Sequence, residues 1–245
     1  MSPLPGEVLT PGGAAEVAAV AAEKIADALR LAIGARHRAS IALSGGNTPR
    51  GAYEQLARQP GIDWAKVDVL WVDERSVSPT DDRSNYRWAK ETLLDVVLAR
   101  GGRAARMEAE RADIENAARE YEGVLRARVP PDEHGIPSFD VMVLGIGDDG
   151  HTASLFPGEP TVGVTDRLVA AVPPHPPARE ARLTLTVPVI QHARQVIVLA
   201  VGANKRDAIA RVADVHGDVH ETPARIIRGC LGALLWIGDK AALGP

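Results

Sequence analysis

The sequence predicts an α/β fold: three layers, α/β/α, built around a mostly parallel, Rossmann-like sheet in a single domain. Three observations predict it. Short apolar runs rich in β-branched residues, such as Val141–Leu144 and Gln195–Val201, read as buried strands. Stretches with apolar residues at helical spacing lie between such runs and read as amphipathic helices. The two kinds alternate along the 245 residues, which is the pattern of strands joined by helical crossovers. The whole chain, 1–245, is expected to form one domain, with residues 1–11 as a flexible N-terminal segment.

Each element has its own signal. Val17, Val20, Ala21, Ala28, Leu29 and Ala32 mark a helix over 14–33, with Gly34 as its stop. Ser40–Leu43 is a short buried strand that runs into Ser44-Gly45-Gly46-Asn47-Thr48-Pro49, where Thr48 is the expected N-cap and Pro49 the first helical residue. A strand over Lys66–Val72 ends at Asp73-Glu74-Arg75. Ser84 caps a helix from Asn85 to about Ala99, and a brief strand follows over 104–108. Asp113 opens a helix to about Arg128, closed by Pro130-Pro131. Phe139–Leu144 is the next strand, emptying into Gly145-Ile146-Gly147-Asp148-Asp149-Gly150-His151. Later strands are expected at Leu168–Val172, Arg182–Thr186, Gln195–Val201 and Ala233–Ile237, with helices after Lys205 and over 223–229. Pro173–Pro177 reads as an extended surface loop.

Composition excludes several function classes. With 45% hydrophobic and 24% charged residues the chain is ordinary for a globular protein. A net charge of −4 provides no basic field for nucleic acid. The single cysteine, Cys230, rules out a disulfide framework or a cysteine-based zinc site and fits a reducing cytosol. The N-terminus lacks the basic region and apolar core of a signal peptide, and no apolar run approaches membrane-spanning length. The expectation is a cytoplasmic protein with neither nucleic-acid nor membrane partners.

Chemistry concentrates at the ends of strands: Ser44–Thr48, Asp73–Arg75, Asp148–His151 and Asn204-Lys205. In a parallel sheet these converge on one edge, where ligands of open α/β folds bind. The Ser44–Thr48 turn offers free backbone N–H groups at a helix start, which suit a phosphate. It is not a Walker A loop. Lys205 and Arg182 are candidate cations for the same anion, although a solvated lysine is the commoner fate. Asp73-Glu74-Arg75 reads either as an internal ion pair that holds the loop or as part of a site. His151, two residues from Asp149, fits a general base held in one tautomer by a carboxylate. Asp73 and Asp148 compete for that partnership. Gly145, Gly147 and Gly150 also spell G-x-G-x-x-G, but Phe156-Pro157-Gly158 cuts off the helix that a dinucleotide fingerprint must open. No G-x-S-x-G elbow or reactive cysteine offers a covalent nucleophile, so the activated nucleophile is expected to be water.

Taken together, SGGNTPRGAYEQLA, WVDERSVSPTDDRSNYRWAKETLL, FDVMVLGIGDDGHTASLFPG, RLTLTVPVI and GANKRDAI resemble the 6-phosphogluconolactonases, a family of the oxidative pentose phosphate pathway related in fold to glucosamine-6-phosphate isomerase/deaminase. The resemblance spans residues from about 14 to 238. It implies a cofactor-free and metal-free hydrolase that opens 6-phospho-D-glucono-1,5-lactone to 6-phosphogluconate, working as a monomer or weak homo-oligomer on a small sugar-phosphate lactone. It also implies site residues. The base falls on His151, its carboxylate on Asp149, and the arginine of the VDER segment on Arg75, with Asp73 beside it. The phosphate loop falls on Gly45, Gly46, Asn47 and Thr48, joined by Lys205; the residues themselves add Ser44 and Arg182 as candidates for the same anion. The related deaminases follow their Asp-Gly-His with a catalytic Glu, and Phe156 stands in that place here. A deaminase and a non-catalytic sugar-phosphate sensor are the rival readings, the latter requiring a DNA-binding appendage that the sequence does not contain.

Overall fold

The computed structural model describes residues 3–175 and 179–244. Pro176 and Pro177 of the expected proline loop lie outside the described residues. No helix among the described residues is long and apolar enough to cross a membrane.

The chain begins with strand β1 (Glu7–Leu9), helix α1 (Ala14–Arg36), β2 (Ala39–Leu43), α2 (Asn47–Leu56), β3 (Val67–Trp71) and β4 (Asp73–Arg75). Helices α3 (Asn85–Ala89) and α4 (Asp95–Ala99) follow, joined by a π-helical turn over Lys90–Leu94, then β5 (Arg103–Ala104), α5 (Ile114–Arg128) and β6 (Val141–Gly145). The second half holds β7 (Val169–Val172), β8 (Arg182–Leu185), α6 (Val187–Gln191), β9 (Gln195–Ala200), α7 (Arg206–Ala213), β10 (Ala233–Gly238) and α8 (Lys240–Leu243).

Seven strands form one sheet in the order β1-β10-β9-β6-β2-β3-β5, and every pairing in it is parallel. The helices flank it, as the α/β reading requires. Central strands β2 and β3 are buried at every residue, which explains their near-continuous apolar sequence. The order of the strands reverses between β2 and β6, which pair at Ile41–Val141 and Ala42–Met142. Their carboxyl ends open a crevice at the topological switch point, the position where open α/β sheets bind ligands.

A second sheet of three antiparallel strands, β4-β8-β7, is absent from the sequence reading, which expected strands but not their separation into two sheets. Its origin is Val72. The Val72 N–H donates to Leu43 O in the main sheet, while Val72 O accepts from Leu185 N in the second. The chain therefore leaves one sheet for the other within a single residue, and β4 carries Asp73–Arg75 across to face β8.

Several boundaries differ from expectation for physical reasons. Residues 7–9 are not a flexible segment: Glu7–Leu9 pairs in parallel with Leu235–Ile237 and becomes the sheet edge. So short a strand has no periodicity to read. Helix α1 runs through Gly34 and stops at His37, which takes the left-handed conformation at φ 61° and closes the helix with its N–H on Ile33 O. An exposed glycine costs only about 1 kcal/mol within a helix this long. Helix α2 starts at Asn47 behind Gly46, so Thr48 is not its cap and Pro49 is its third residue. Ser84 and Asp113 do cap their helices, accepting from Arg87 N and Asn116 N.

Candidate active site

The four strand ends meet around one cavity of about 490 Å³. Ser44, Gly45, Gly46, Asn47 and Thr48 line it from the end of β2, Asp73 and Arg75 from β4, His151 from the turn after β6, Arg182 from β8, and Asn204 with Lys205 from the turn after β9. Every site residue expected from sequence lies here except Asp149, which sits behind His151 rather than on the cavity wall. Asn204, beside Lys205 in the same turn, joins the lining.

The Ser44–Thr48 turn is built from behind. The phenol of Tyr53, nearly two turns into α2, accepts from Ser44 N at 3.0 Å and donates to Ser44 O at 3.1 Å. Both backbone groups of Ser44 are thereby satisfied in a buried position. Asn85 lies over the next residue, and a Cβ on Gly45 would collide with its side-chain amide. Gly46, at φ 107°, then turns the chain into α2. The first amides of that helix have no earlier carbonyl to bond and are directed to the helix N-terminus.

Beside it, the Asp73-Glu74-Arg75 strand divides its charges. Glu74 is not paired to the Arg75 guanidinium. It is buried, and its carboxylate accepts from the backbone N–H groups of Arg75, Asn85 and Tyr86 and from the Ser84 hydroxyl, all at 2.8–3.0 Å. Burial pushes this carboxyl above its ordinary value, and the three backbone donors oppose that shift. Glu74 is thus the anchor for the start of α3. Asp73, also buried, accepts from the fully buried Ser154 hydroxyl at 2.6 Å and from Asn85 Nδ2 at 3.2 Å. Neither Asn85 nor Ser154 was singled out from the sequence. Each sits inside a segment quoted above, RSNY and TASLFP, but its partner lies on a different element.

Arg75 and Arg182 are directly opposed residues of the antiparallel β4–β8 pair. Like charges in that relation repel. Burial lowers the Arg182 guanidinium below its ordinary value; Asp73 opposes that shift and Arg75 adds to it. Asp73 Oδ2 stands 3.8 Å from Arg182 Nη1 and offsets part of the repulsion. The Nε atoms of both arginines are buried without a hydrogen-bond partner among the described residues. Two opposed guanidinium groups with spare donors on a cavity wall are an arrangement that an anion would complete.

The turn after β6 forms the opposite wall. His151 Nδ1 lies 2.7 Å from Asp149 Oδ1, which also accepts from His151 N at 3.0 Å. Among the three carboxylates that the sequence left in competition, Asp149 is the partner; Asp73 is engaged with Ser154, and Asp148 Oδ1 accepts from Asp149 N. Partial burial works against the charged form of Asp149, but the bonds from His151 outweigh it and hold its carboxyl down at about 2. Bonding to a carboxylate puts the imidazole proton on Nδ1 and leaves the lone pair on Nε2. The close fold of this pair requires Gly147, because a Cβ there would collide with both His151 and Asp149. Phe156 covers the imidazole, ring centroids 4.8 Å apart, and Arg179 lies 4.0 Å above the Phe156 ring.

Comparison with known proteins shows the family and the fold. A 6-phosphogluconolactonase of Synechocystis sp. is 41% identical over 211 residues, covering 86% of each chain. The structure of 6-phosphogluconolactonase from Trypanosoma brucei superposes with a TM-score of 0.87 at 28% identity over 98% of both chains. A monomeric glucosamine-6-phosphate deaminase shares the fold alone, with a TM-score of 0.78 at 19% identity. The family described as glucosamine-6-phosphate isomerases/6-phosphogluconolactonase matches residues 13–236, and the chain belongs to it.

Proposed function

We propose that the protein is a 6-phosphogluconolactonase that hydrolyses 6-phospho-D-glucono-1,5-lactone to 6-phosphogluconate with water activated by His151. The observation that carries this reading is the Asp149–His151 pair at 2.7 Å, whose imidazole stands on the wall of a cavity with cationic and amide-rich walls beside it. The substrate phosphate lies on the Ser44–Thr48 turn with Lys205 and Arg182. His151 Nε2 takes a proton from water, which attacks the lactone carbonyl. Arg75 faces the oxyanion of the tetrahedral intermediate. As that intermediate collapses, the ring oxygen leaves and receives the proton held by the imidazolium, so the base is regenerated and no group remains on the enzyme. Asp149, ionised throughout, stabilises the imidazolium.

Aldonolactones open in water unaided, so the catalytic demand is modest. A general base worth roughly 10²–10⁴-fold, together with oxyanion stabilisation, meets it. Phe156 argues against deaminase chemistry: it presents an apolar ring to the imidazole where that reaction needs a carboxylic acid. Burial pushes the thiol of the half-buried Cys230 up to about 12, which leaves no ready thiolate nucleophile, and a single cysteine is consistent with a reducing compartment such as the cytoplasm.

The test is His151→Ala assayed on freshly generated lactone. We expect kcat to fall roughly 10²–10⁴-fold with the fold intact by circular dichroism. Near-normal turnover by the folded variant would remove His151 from the mechanism. Ammonia release from glucosamine 6-phosphate by the wild type would replace the lactonase reading with the deaminase one.

A further inference from the structure

We propose that Arg211 is a positioning residue for the His151–Asp149 pair, a role that rests on the lactonase reading above. Arg211 lies in the last turn of α7 and touches neither the cavity nor the imidazole. Its guanidinium grips the catalytic turn from behind. Nη2 donates to the carbonyl of Asp149 at 3.0 Å and to that of Asp148 at 3.4 Å, while Nε donates to Thr222 Oγ1 at 3.1 Å.

The chemistry of the turn explains why such a grip matters. Asp149 and His151 are separated by Gly150, which takes φ 98° and has the widest backbone freedom of any residue. The space a Cβ would occupy at Gly150 is filled by Thr222 and Arg211, so the turn is seated directly on them. Gly150 O in turn accepts from Ala224 N at 2.9 Å. Three successive carbonyls, those of Asp148, Asp149 and Gly150, are therefore held from one side. With its carbonyl fixed, the Asp149 peptide presents its carboxylate to both His151 donors. A planar guanidinium reaches Thr222 with Nε and both carbonyls with Nη2 at once, a span that a single ammonium nitrogen does not provide.

Arg211 also joins the two halves of the site. Helix α7 begins immediately after Asn204 and Lys205 on the cavity wall. Its far end is fixed by Arg225, which is buried and donates from Nη1 to the carbonyls of Arg211 and Asp214. The helix acts as a strut between the lysine assigned to the phosphate and the turn that carries the base. The chemical consequence is that the base is oriented before substrate arrives.

The experiment compares wild type, Arg211→Ala, Arg211→Lys and Thr222→Val. Steady-state kinetics on fresh 6-phospho-D-glucono-1,5-lactone are read alongside Tm. The Nδ1–H resonance of His151, identified by its loss in His151→Ala, is followed by proton NMR without substrate. We expect Arg211→Ala to lower kcat about tenfold, a fraction of what the base contributes, with KM within about twofold of wild type. Its Nδ1–H resonance should broaden through solvent exchange. Arg211→Lys should recover part of both signals, and Thr222→Val should move both in the same direction by less. Wild-type kcat and an unchanged resonance in Arg211→Ala would overturn the proposal, as would loss of Tm alone. If Arg211→Ala does not fold, Arg211→Lys and Thr222→Val decide by the same readouts. If the wild type does not hydrolyse the lactone, the lactonase reading fails, and the resonance still tests Arg211 because it needs no turnover.

Discussion

Two glycine turns leave the carboxyl ends of adjacent parallel strands, one after β2 and one after β6, and they are put to opposite uses. The first, Ser44–Thr48, opens a helix and collects amide donors. The second, Gly145–His151, opens no helix and exposes a carboxylate and an imidazole instead. Both depend on missing Cβ atoms, but for different neighbours. Gly45 makes room for Asn85, a residue from a different element. Gly147 makes room for His151 and Asp149, residues of its own turn. The first glycine admits the scaffold so that the backbone faces the ligand; the second lets the chain fold on itself so that side chains do. In our reading, one turn binds the substrate and the other converts it.

That contrast predicts separable kinetic effects. The largest should come from Gly147→Ala, which forces His151 away from Asp149. We expect kcat to fall roughly 10²-fold or more with little change in KM, since the phosphate turn is untouched. Gly45→Ala should do the reverse: Asn85 is displaced, the amides shift, and KM should rise about tenfold through a lost charge-assisted bond, with kcat nearly kept. Competitive inhibition by inorganic phosphate should weaken in parallel. If Gly45→Ala lowers kcat and Gly147→Ala raises KM, the division of labour is wrong.

The smallest effect concerns acid stability. Asp149 is held at about 2 in the folded protein, below its ordinary 3.8, so its ionised form favours the fold. This contribution is complete above about pH 4 and disappears as pH falls toward 2. Because its side chain is 47% exposed, solvent screening keeps the contribution at no more than about 1 kcal/mol. Urea denaturation of wild type and Asp149→Asn should differ near neutral pH and converge by about pH 2. A gap that stays constant across that range would show that the carboxylate charge is not what stabilises the turn.

The parts of the fold that were legible from sequence are those written in a few adjacent residues. Apolar β-branched runs announced β2, β3, β6, β9 and β10, and Ser84 and Asp113 announced two helix starts. Glycine followed by Asp-Asp-Gly-His announced a turn with exposed polar groups. What escaped were short or composite features. Glu7–Leu9 has too few residues to show a period. The splitting of 66–75 between two sheets happens at Val72, where the apolar pattern does not break. Thr48 resembles a helix cap, yet the left-handed geometry available to Gly46 starts the helix earlier.

By itself, then, the sequence determined the α/β class, the family, and the set of strand ends from which the site is assembled, because periodicity and turn chemistry act over a few residues. Tertiary structure decided who touches whom. It made Asp149 the partner of His151, made Glu74 the anchor of α3 rather than a partner of the Arg75 guanidinium, and set Arg75 opposite Arg182. It also bound Asp73 to Ser154, 81 residues away, and seated the Asp148–His151 turn on Arg211, 62 residues from Asp149. The contacts between distant residues follow from the parallel order of one sheet and the antiparallel register of another. No local pattern records either, because register is fixed only when the packed faces of the whole fold come together.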